Sequence, residues 1–94
     1  MKNYKKAIED FDKAAQIEPT YAETYYLRGI SKVELGKFGE GSYQDAIEDF
    51  LYSKDLNSRN PGIYKGIGES CRLMKDYERA LYYLNEALRI DGKN

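Results

Sequence analysis

The residue types that most often perform chemistry in proteins are scarce in this chain. Its 94 residues include no histidine and a single cysteine, Cys71. Histidine is the commonest general base and metal ligand, so its absence argues against Ser-His and Cys-His pairs and most zinc sites. Cys71 falls inside a predicted helix with no general base to activate it, which favours a buried structural role. We therefore expect a non-enzymatic protein with no metal and no cofactor.

Two other stretches have the composition of ligand-binding loops without their pattern. Asp10 and Asp12 resemble the start of a calcium loop, but the glycine and the final glutamate of such a loop are missing. The glycines within 36–41 and 66–68 follow no predicted strand and lack the Gly-Lys-Ser/Thr of a phosphate loop. The aspartates are explained as solvated helix charges, and neither glycine stretch predicts a phosphate site.

The overall charge is nearly balanced. Fifteen basic and sixteen acidic residues give a formal net charge of −1, with no block of like charge. This balance argues against nucleic acid or an anionic membrane as the partner. The chain has no membrane-length apolar run and no signal-like start, and its lone cysteine excludes an internal disulfide. These features predict a soluble, cytoplasmic protein.

Apolar residues recur at helical spacing along almost the whole chain. The first such stripe runs from Tyr4 to Ile17 and is stopped by Pro19. Further helices are predicted at about 22–35, ended by Gly36, at 43–56, from 61 onward, and from 77 to about 90. The expected N-caps are Asn3, Ser42, Asn60 and Asp76.

Three of these segments repeat one apolar pattern. YKKAIEDF at 4–11, YQDAIEDF at 43–50 and YERALYYL at 77–84 match place by place. Ala7 and Ala46 are 39 residues apart, and Ala46 and Ala80 are 34 apart, which is typical of a helix pair that must stack on its neighbours. The excess of five residues falls in the turn at 37–42.

This pattern resembles the tetratricopeptide repeat, whose unit is two antiparallel helices, A and B. In the last unit, Tyr64 stands at the family's Trp place, and Ile67-Gly68 stand at its Leu-Gly. Its helix B places are taken by Tyr77, Ala80, Leu84 and Ala87. The departures from the family pattern are Arg28 for Leu, Lys32 and Cys71 for Tyr, and Gly92 for Pro.

The resemblance implies one all-α domain over 1–94, an antiparallel helix-pair superhelix of about five helices. Residues 1–21 would form a half repeat with helix B only, 22–60 a repeat with the insertion in its A–B turn, and 61–94 a repeat. The half repeat favours a segment of a longer protein. Helix B of the first unit (B1, about 4–17) and helix B of the last unit (B3, 77 to about 90) would each lack a neighbour. This predicts self-association through both ends, with a stripe of Tyr83, Leu84, Ala87 and Leu88 on B3.

The resemblance also implies that helices A line a concave groove that binds a peptide or partner helix of another protein. Helical geometry selects the side chains that would face it. The groove residues so predicted are Tyr26, Ile30, Val33 and Glu34 in helix A of the second unit (A2, about 22–35), and Lys65, Glu69, Arg72 and Leu73 in helix A of the last unit (A3, from 61 onward). Tyr26, Ile30 and Val33 would supply apolar contacts, while Lys65 and Arg72 would select an acidic group.

Three alternatives stay open at this point. Tyr26, Ile30 and Val33 could contact neighbouring helices instead of a ligand. The chain could also be a structural spacer of a longer solenoid, or a regulatory segment of a larger enzyme. One binding mode of the family is not expected, because the Lys and Asn residues with which many members grip acidic chaperone tails are replaced here, for example by Tyr26 and Ile30.

Overall fold

The computed structural model describes residues 3–56 and 59–91, and five α-helices account for most of these ranges. The helices are α1 (Tyr4–Ile17), α2 (Ala22–Lys37), α3 (Tyr43–Leu56), α4 (Pro61–Leu73) and α5 (Tyr77–Asp91). No strand occurs within the described ranges. The predicted all-α architecture with five helices is confirmed.

Each helix packs on the next one in the chain, and α2 also reaches α4. Because the connections are short, successive helices run antiparallel. The two helices A, α2 and α4, therefore lie next to each other and form an inner row. The helices B, which are α1, α3 and α5, form the outer row.

The predicted N-caps hold the starts of four helices. Each capping side chain accepts a hydrogen bond from a backbone N–H in the first turn, which satisfies one of the donors that a helix start leaves free. The four caps are Asn3, Ser42, Asn60 and Asp76. Pro61 follows Asn60 as the first residue of α4, a position where its missing N–H does no harm.

The inserted residues lengthen helix α2 as well as the turn. α2 has 16 residues and α4 has 13, and the connection after α2 spans five residues against three after α4. The prediction that Gly36 ends α2 is wrong, because the helix continues through it to Lys37. A Cβ at Gly36 would lie 2.6 Å from the ring of Tyr43, so this glycine permits a close approach. The left-handed backbone falls later, at Gly39 and Gly41.

The core lies between α2, α3 and α4 and is centred on the fully buried ring of Phe50. Added Cβ atoms would lie 2.9 Å from this ring at Gly29 and 2.6 Å from it at Gly66. The ring therefore fits between two helices A only because both positions are glycine. Gly66, which the family pattern does not explain, makes room for Phe50.

Arg28 and Lys32, which stand where the family pattern has Leu and Tyr, both bind the buried carboxylate of Asp49. Asp49, whose side chain is 8% exposed, accepts hydrogen bonds from Nε and Nη2 of Arg28 at 2.9 and 2.8 Å. The Nζ atom of Lys32 lies 3.0 Å from the same carboxylate. Arg28 also donates from Nη1 to Asp12 of α1 at 2.9 Å. The hydrogen bonds to Asp49 raise the pKa of Arg28, and the cluster joins α1, α2 and α3.

Candidate partner-binding groove

The inner row of α2 and α4 carries all eight predicted groove residues, but they differ in accessibility. Val33 is only 4% exposed and belongs to the core. Ile30 and Leu73 are half-buried and pack against that core. The alternative that these apolar residues contact neighbouring helices therefore describes Val33 fully, and it describes Ile30 and Tyr26 in part, because both pack against the core and stay half-buried.

Tyr26 lies over the junction between α2 and the start of α4. Its ring is tilted against that of Phe50, with the centroids 6.1 Å apart. Its hydroxyl oxygen lies over Gly62, where an added Cβ would come within 2.5 Å. Burial, and secondly the charge of Glu23, raises the pKa of the Tyr26 hydroxyl. Tyr26 is thus half-buried between the two helices A, and Ile30 lies one turn further along α2.

Ion pairs connect α2 to α4 at the other end of the inner row. The Nζ atom of Lys37 lies 3.2 Å from Glu34 and 3.1 Å from Glu69. Arg72 approaches the same Glu69 oxygen at 3.8 Å. These bonds, chiefly the one to Glu69, raise the pKa of Lys37. Because such exposed pairs contribute only about 0–1 kcal/mol each, a charged ligand can exchange with them.

Lys37 is not among the groove residues predicted from the sequence, although it forms the ion pairs that connect α2 to α4. The sequence places it in the turn at 37–42, after the predicted end of the helix at Gly36. In the structure it belongs to the last turn of the lengthened α2, which brings its amine to α4. The lone signal in the sequence was the period of 39 residues in place of 34.

Lys65 lies apart from these ion pairs. Its side chain is exposed and has no carboxylate partner among the residues that the structure describes. It borders an apolar cleft of about 230 Å³ that separates α4 from the end of α5. The other lining residues are Leu84, Ala87, Leu88 and Asp91. Of the two cations predicted to select an acidic group, Arg72 lies 3.8 Å from the carboxylate of Glu69, whereas Lys65 forms no ion pair within the described residues, although Asp91 lines the same cleft.

Within residues 3–56 and 59–91, no group of histidine, cysteine, aspartate and glutamate side chains is arranged to hold a metal ion. No helix in these ranges is both long and apolar enough to cross a membrane. Cys71 is fully buried, and burial raises the pKa of its thiol, so the reactive thiolate is disfavoured.

Comparison with known families agrees with the repeated helix pairs. A model described as TPR repeat matches residues 1–36, and a model described as Tetratricopeptide repeat matches residues 63–94. The chain is a tetratricopeptide repeat protein. The stretch between the two matches contains the insertion and α3. Arg28 and Lys32, the cationic partners of Asp49, lie within the first match. The division into units at residues 21 and 60 stays a prediction.

Two relatives illustrate how widely this repeat is used. The chain is 24% identical over 91 residues to the small glutamine-rich tetratricopeptide repeat-containing protein 2 of Saccharomyces cerevisiae, covering 97% of this chain and 22% of that protein. The crystal structure of MamA superposes with a TM-score of 0.82 at 23% identity, covering 96% of this chain and 50% of that one. The chain therefore spans about a fifth of one relative and half of the other. The likeness to MamA shows the fold, and the family membership assigns the repeats to protein-interaction modules.

Proposed function

We propose that this repeat protein binds a peptide or helix of another protein in the groove over α2 and α4, without enzymatic activity. The observation that carries the proposal is that the inner row of helices combines accessible apolar side chains with an exposed cation. Half-buried Tyr26 and Ile30 offer apolar area, and the exposed cation Lys65 is unpaired among the described residues. Groove and chain would act in a soluble, cytoplasmic setting, which stays a prediction.

The apolar part of the partner would cover Tyr26 and Ile30, and Val33 would support them from the core beneath. Burying apolar surface contributes about 25 cal/mol per Å², so even a short peptide gains several kcal/mol before ordering costs are subtracted. An acidic group of the partner would pair with Lys65. The carboxylates of Glu34 and Glu69, which hold Lys37, would disfavour an acidic group at the other end.

The positions of these charges along the groove favour one orientation of the bound peptide. An acidic residue belongs near Lys65, close to the start of α4, and a neutral or basic residue belongs near Glu69 and Glu34. A peptide with acidic residues along its whole length fits poorly. The acidic tails of chaperones are peptides of this type, so we still expect that the chain does not bind them.

A phage-displayed library of short random peptides, selected on the immobilised chain, tests the proposal. Enriched peptides should carry apolar residues followed by one acidic residue. Calorimetry with a synthetic copy of the best peptide should show binding about tenfold weaker, or about 1.4 kcal/mol, for Lys65→Glu. The matched control is Lys13→Glu on α1, which is exposed and distant from α4, and it should bind as the wild type does.

Failure of the library to yield any binding peptide would contradict groove binding and favour a structural spacer. Equal losses for Lys65→Glu and Lys13→Glu would also contradict it, because they would reveal a general charge effect.

A further inference from the structure

A pocket of about 370 Å³ opens at the edge of the molecule where α2 and α4 begin and α3 ends. Its described lining residues come from the turn before α2, the first residues of α2, the end of α3 and the start of α4. The volume is within the range of about 300–1,000 Å³ that ligand pockets have. Three consecutive helices bound the pocket, so it does not depend on what adjoins either end of the chain.

The cleft between α4 and the end of α5 differs from this pocket, because most of the apolar stripe predicted on α5 makes contacts within the chain. Ala87 is 3% exposed, and Tyr83 packs against the core. Leu84 lies against α4, where an added Cβ at Gly68 would stand 2.8 Å from its side chain. The prediction that these three residues form an outward stripe with Leu88 is therefore wrong, and self-association stays a prediction.

The floor of the 370 Å³ pocket is apolar and already in place. Ile63 of α4 is 1% exposed, and Leu56 of α3 is half-buried. Ser53, which is also 1% exposed, donates a hydrogen bond from its hydroxyl to the carbonyl of Ala22 at 2.8 Å. This bond fixes α3 against the start of α2, so a ligand would meet a preformed apolar surface.

The rim of the pocket is acidic. Glu23 lines it, is exposed, and forms no ion pair with a residue that the structure describes. A second carboxylate lies beside the rim, because the hydroxyl of Thr20, another lining residue, donates to Glu18 at 3.1 Å. None of the described lining residues is cationic. The side chains around the opening therefore favour a positively charged group.

The adjoining helix ends do not reverse this preference. The starts of α2 and α4 each contribute a partial positive charge of about half an elementary charge, and the end of α3 contributes a negative one of similar size. Their sum is about half a positive charge. The carboxylate of Glu23 carries a full negative charge, so the local potential is negative before Glu18 is counted.

We propose that this pocket binds the side chain of a lysine or arginine from the partner that occupies the groove. Such side chains have a long apolar stem and a charged head, which match the floor formed by Leu56 and Ile63 and the carboxylate of Glu23. A small cation without a stem would gain nothing from the apolar floor. The assignment rests on groove binding, because one peptide would occupy both places.

The pocket is continuous with the groove through Tyr26. A Cβ added at Gly62 would meet the hydroxyl of Tyr26 at 2.5 Å and Oδ1 of Asn60, a lining residue, at 3.0 Å. Burial, and secondly the charge of Glu23, raises the pKa of the Tyr26 hydroxyl, which shows that this charge acts on the groove. A basic residue in the pocket would therefore lie next to the apolar residue that covers Tyr26.

Glu23 also has a structural role that must be separated from binding. An acidic side chain in the first turn stabilises the start of a helix, and Tyr21 makes no capping hydrogen bond with its side chain there. That role requires no pocket and does not distinguish one ligand from another. Preference for a cationic over a neutral ligand of the same shape is therefore the measurement that separates the two roles.

Titration of the isotope-labelled chain with N-acetyl-arginine amide, followed by NMR of the backbone amides, tests the pocket without the groove. Saturable shifts should appear at Glu23 and Ile63, with a Kd on the order of millimolar. The neutral analogue N-acetyl-citrulline amide should bind about threefold more weakly, as expected for loss of one exposed charge pair. Glu23→Gln should abolish this preference. The matched control Glu48→Gln, an exposed residue of α3 outside the pocket, should retain it.

The absence of saturable shifts at the lining residues would overturn the proposal, as would equal binding of the arginine and citrulline compounds by the wild type. Equal effects of Glu23→Gln and Glu48→Gln would also overturn it, because they would reveal a general charge effect. Circular dichroism confirms that both variants remain helical.

The pocket and the groove can fail separately. Lys65→Glu should leave binding of the arginine compound unchanged, so a chain that binds this compound but selects no library peptide would refute the groove alone. Library peptides that lack a basic residue, and that bind Glu23→Gln as tightly as the wild type, would refute the pocket alone.

Discussion

The ring of Phe50 lies directly against the backbone of Gly66, and the two residues belong to consecutive helices. An added Cβ at Gly66 would stand 2.6 Å from Cζ of the ring, closer than carbon atoms approach in folded proteins. The ring is fully buried and is confined on its other side by Gly29. It cannot move away without opening the core.

Gly66→Ala should therefore lower the free energy of unfolding by about 1–3 kcal/mol, as other overpacked cores do. Helix propensity alone predicts the opposite, a gain of about 0.5–1 kcal/mol. Urea unfolding measures the sign. The double variant Gly66→Ala/Phe50→Leu should lose less than the sum of the two single losses, because the smaller side chain accommodates the methyl group. A stabilising Gly66→Ala would show that the ring has room to move.

The helix limits could be predicted because their signals are local. Asn3, Asn60 and Pro61 act on backbone groups within a few residues, so sequence spacing suffices to place them. The partner of Gly66 lies 16 residues away, and the partner of Arg28 lies 21 away. Apolar periodicity predicts which face of a helix is buried, but it does not predict which side chains of other helices contact that face.

The groove shows the same limit at the level of single residues. Helical geometry placed Val33 and Glu34 on one strip, and yet Val33 lies in the core while Glu34 pairs with Lys37 at the surface. One residue corresponds to about 100° around the helix, so neighbours in a strip can fall on either side of the boundary with the core. That boundary depends on how α2 is rotated against α3.

The pair of Arg28 and Asp49 should be strongly coupled. Arg28→Met leaves the carboxylate of Asp49, which is 8% exposed, with Lys32 alone. We expect a loss of about 1–3 kcal/mol in the free energy of unfolding, since a buried charge loses its bidentate partner. The double variant Arg28→Met/Asp49→Leu should recover part of that loss, because apolar replacements of a buried pair are often well tolerated. Strict additivity of the two single variants would contradict this coupling.

Lys75 provides a route to stabilisation. It adopts a φ of 67° in the turn after α4, where its neighbour Asp76 donates a backbone hydrogen bond to Cys71 at 2.8 Å. This left-handed position at a helix end favours glycine, because a Cβ strains the backbone there. Lys75→Gly should raise the free energy of unfolding by up to about 1 kcal/mol. Lys75→Ala is the control and should give no such gain, since alanine retains the Cβ; equal effects would assign the change to the lost charge.

Acid should weaken the start of α5 through Asp76. The hydrogen bonds from Arg79, chiefly from its side chain at 2.6 Å, hold the pKa of Asp76 below the ordinary value of 3.8. A carboxyl whose pKa is lowered by folding stabilises the protein above its unfolded pKa, and this contribution is lost as the pH falls through the folded value. Asp76→Asn keeps an acceptor for the backbone but not the charge. The gap in stability between wild type and Asp76→Asn should be present at neutral pH and close below pH 3.8; a gap that persists in acid would argue against the ion pair.

The insertion should be dispensable for folding, although it is not merely a loop. Deleting residues 37–41 removes the last residue of α2 and most of the connection after it, together with the ion pairs from Lys37 to Glu69 and from Lys5 to Glu40. Both pairs are exposed and contribute little to stability, and shortening a surface turn has a small entropic effect. The Tm should therefore fall by less than about 8 °C, which corresponds to about 1 kcal/mol in a domain of this size. The matched variant Lys37→Ala keeps the turn and removes the ion pair between Lys37 and Glu69 across the groove. It should therefore change Tm little and change the affinity of the groove for its peptide more. A much larger fall in Tm for the deletion would show that the contact of Gly36 with Tyr43, which the new turn must rebuild, supports the fold.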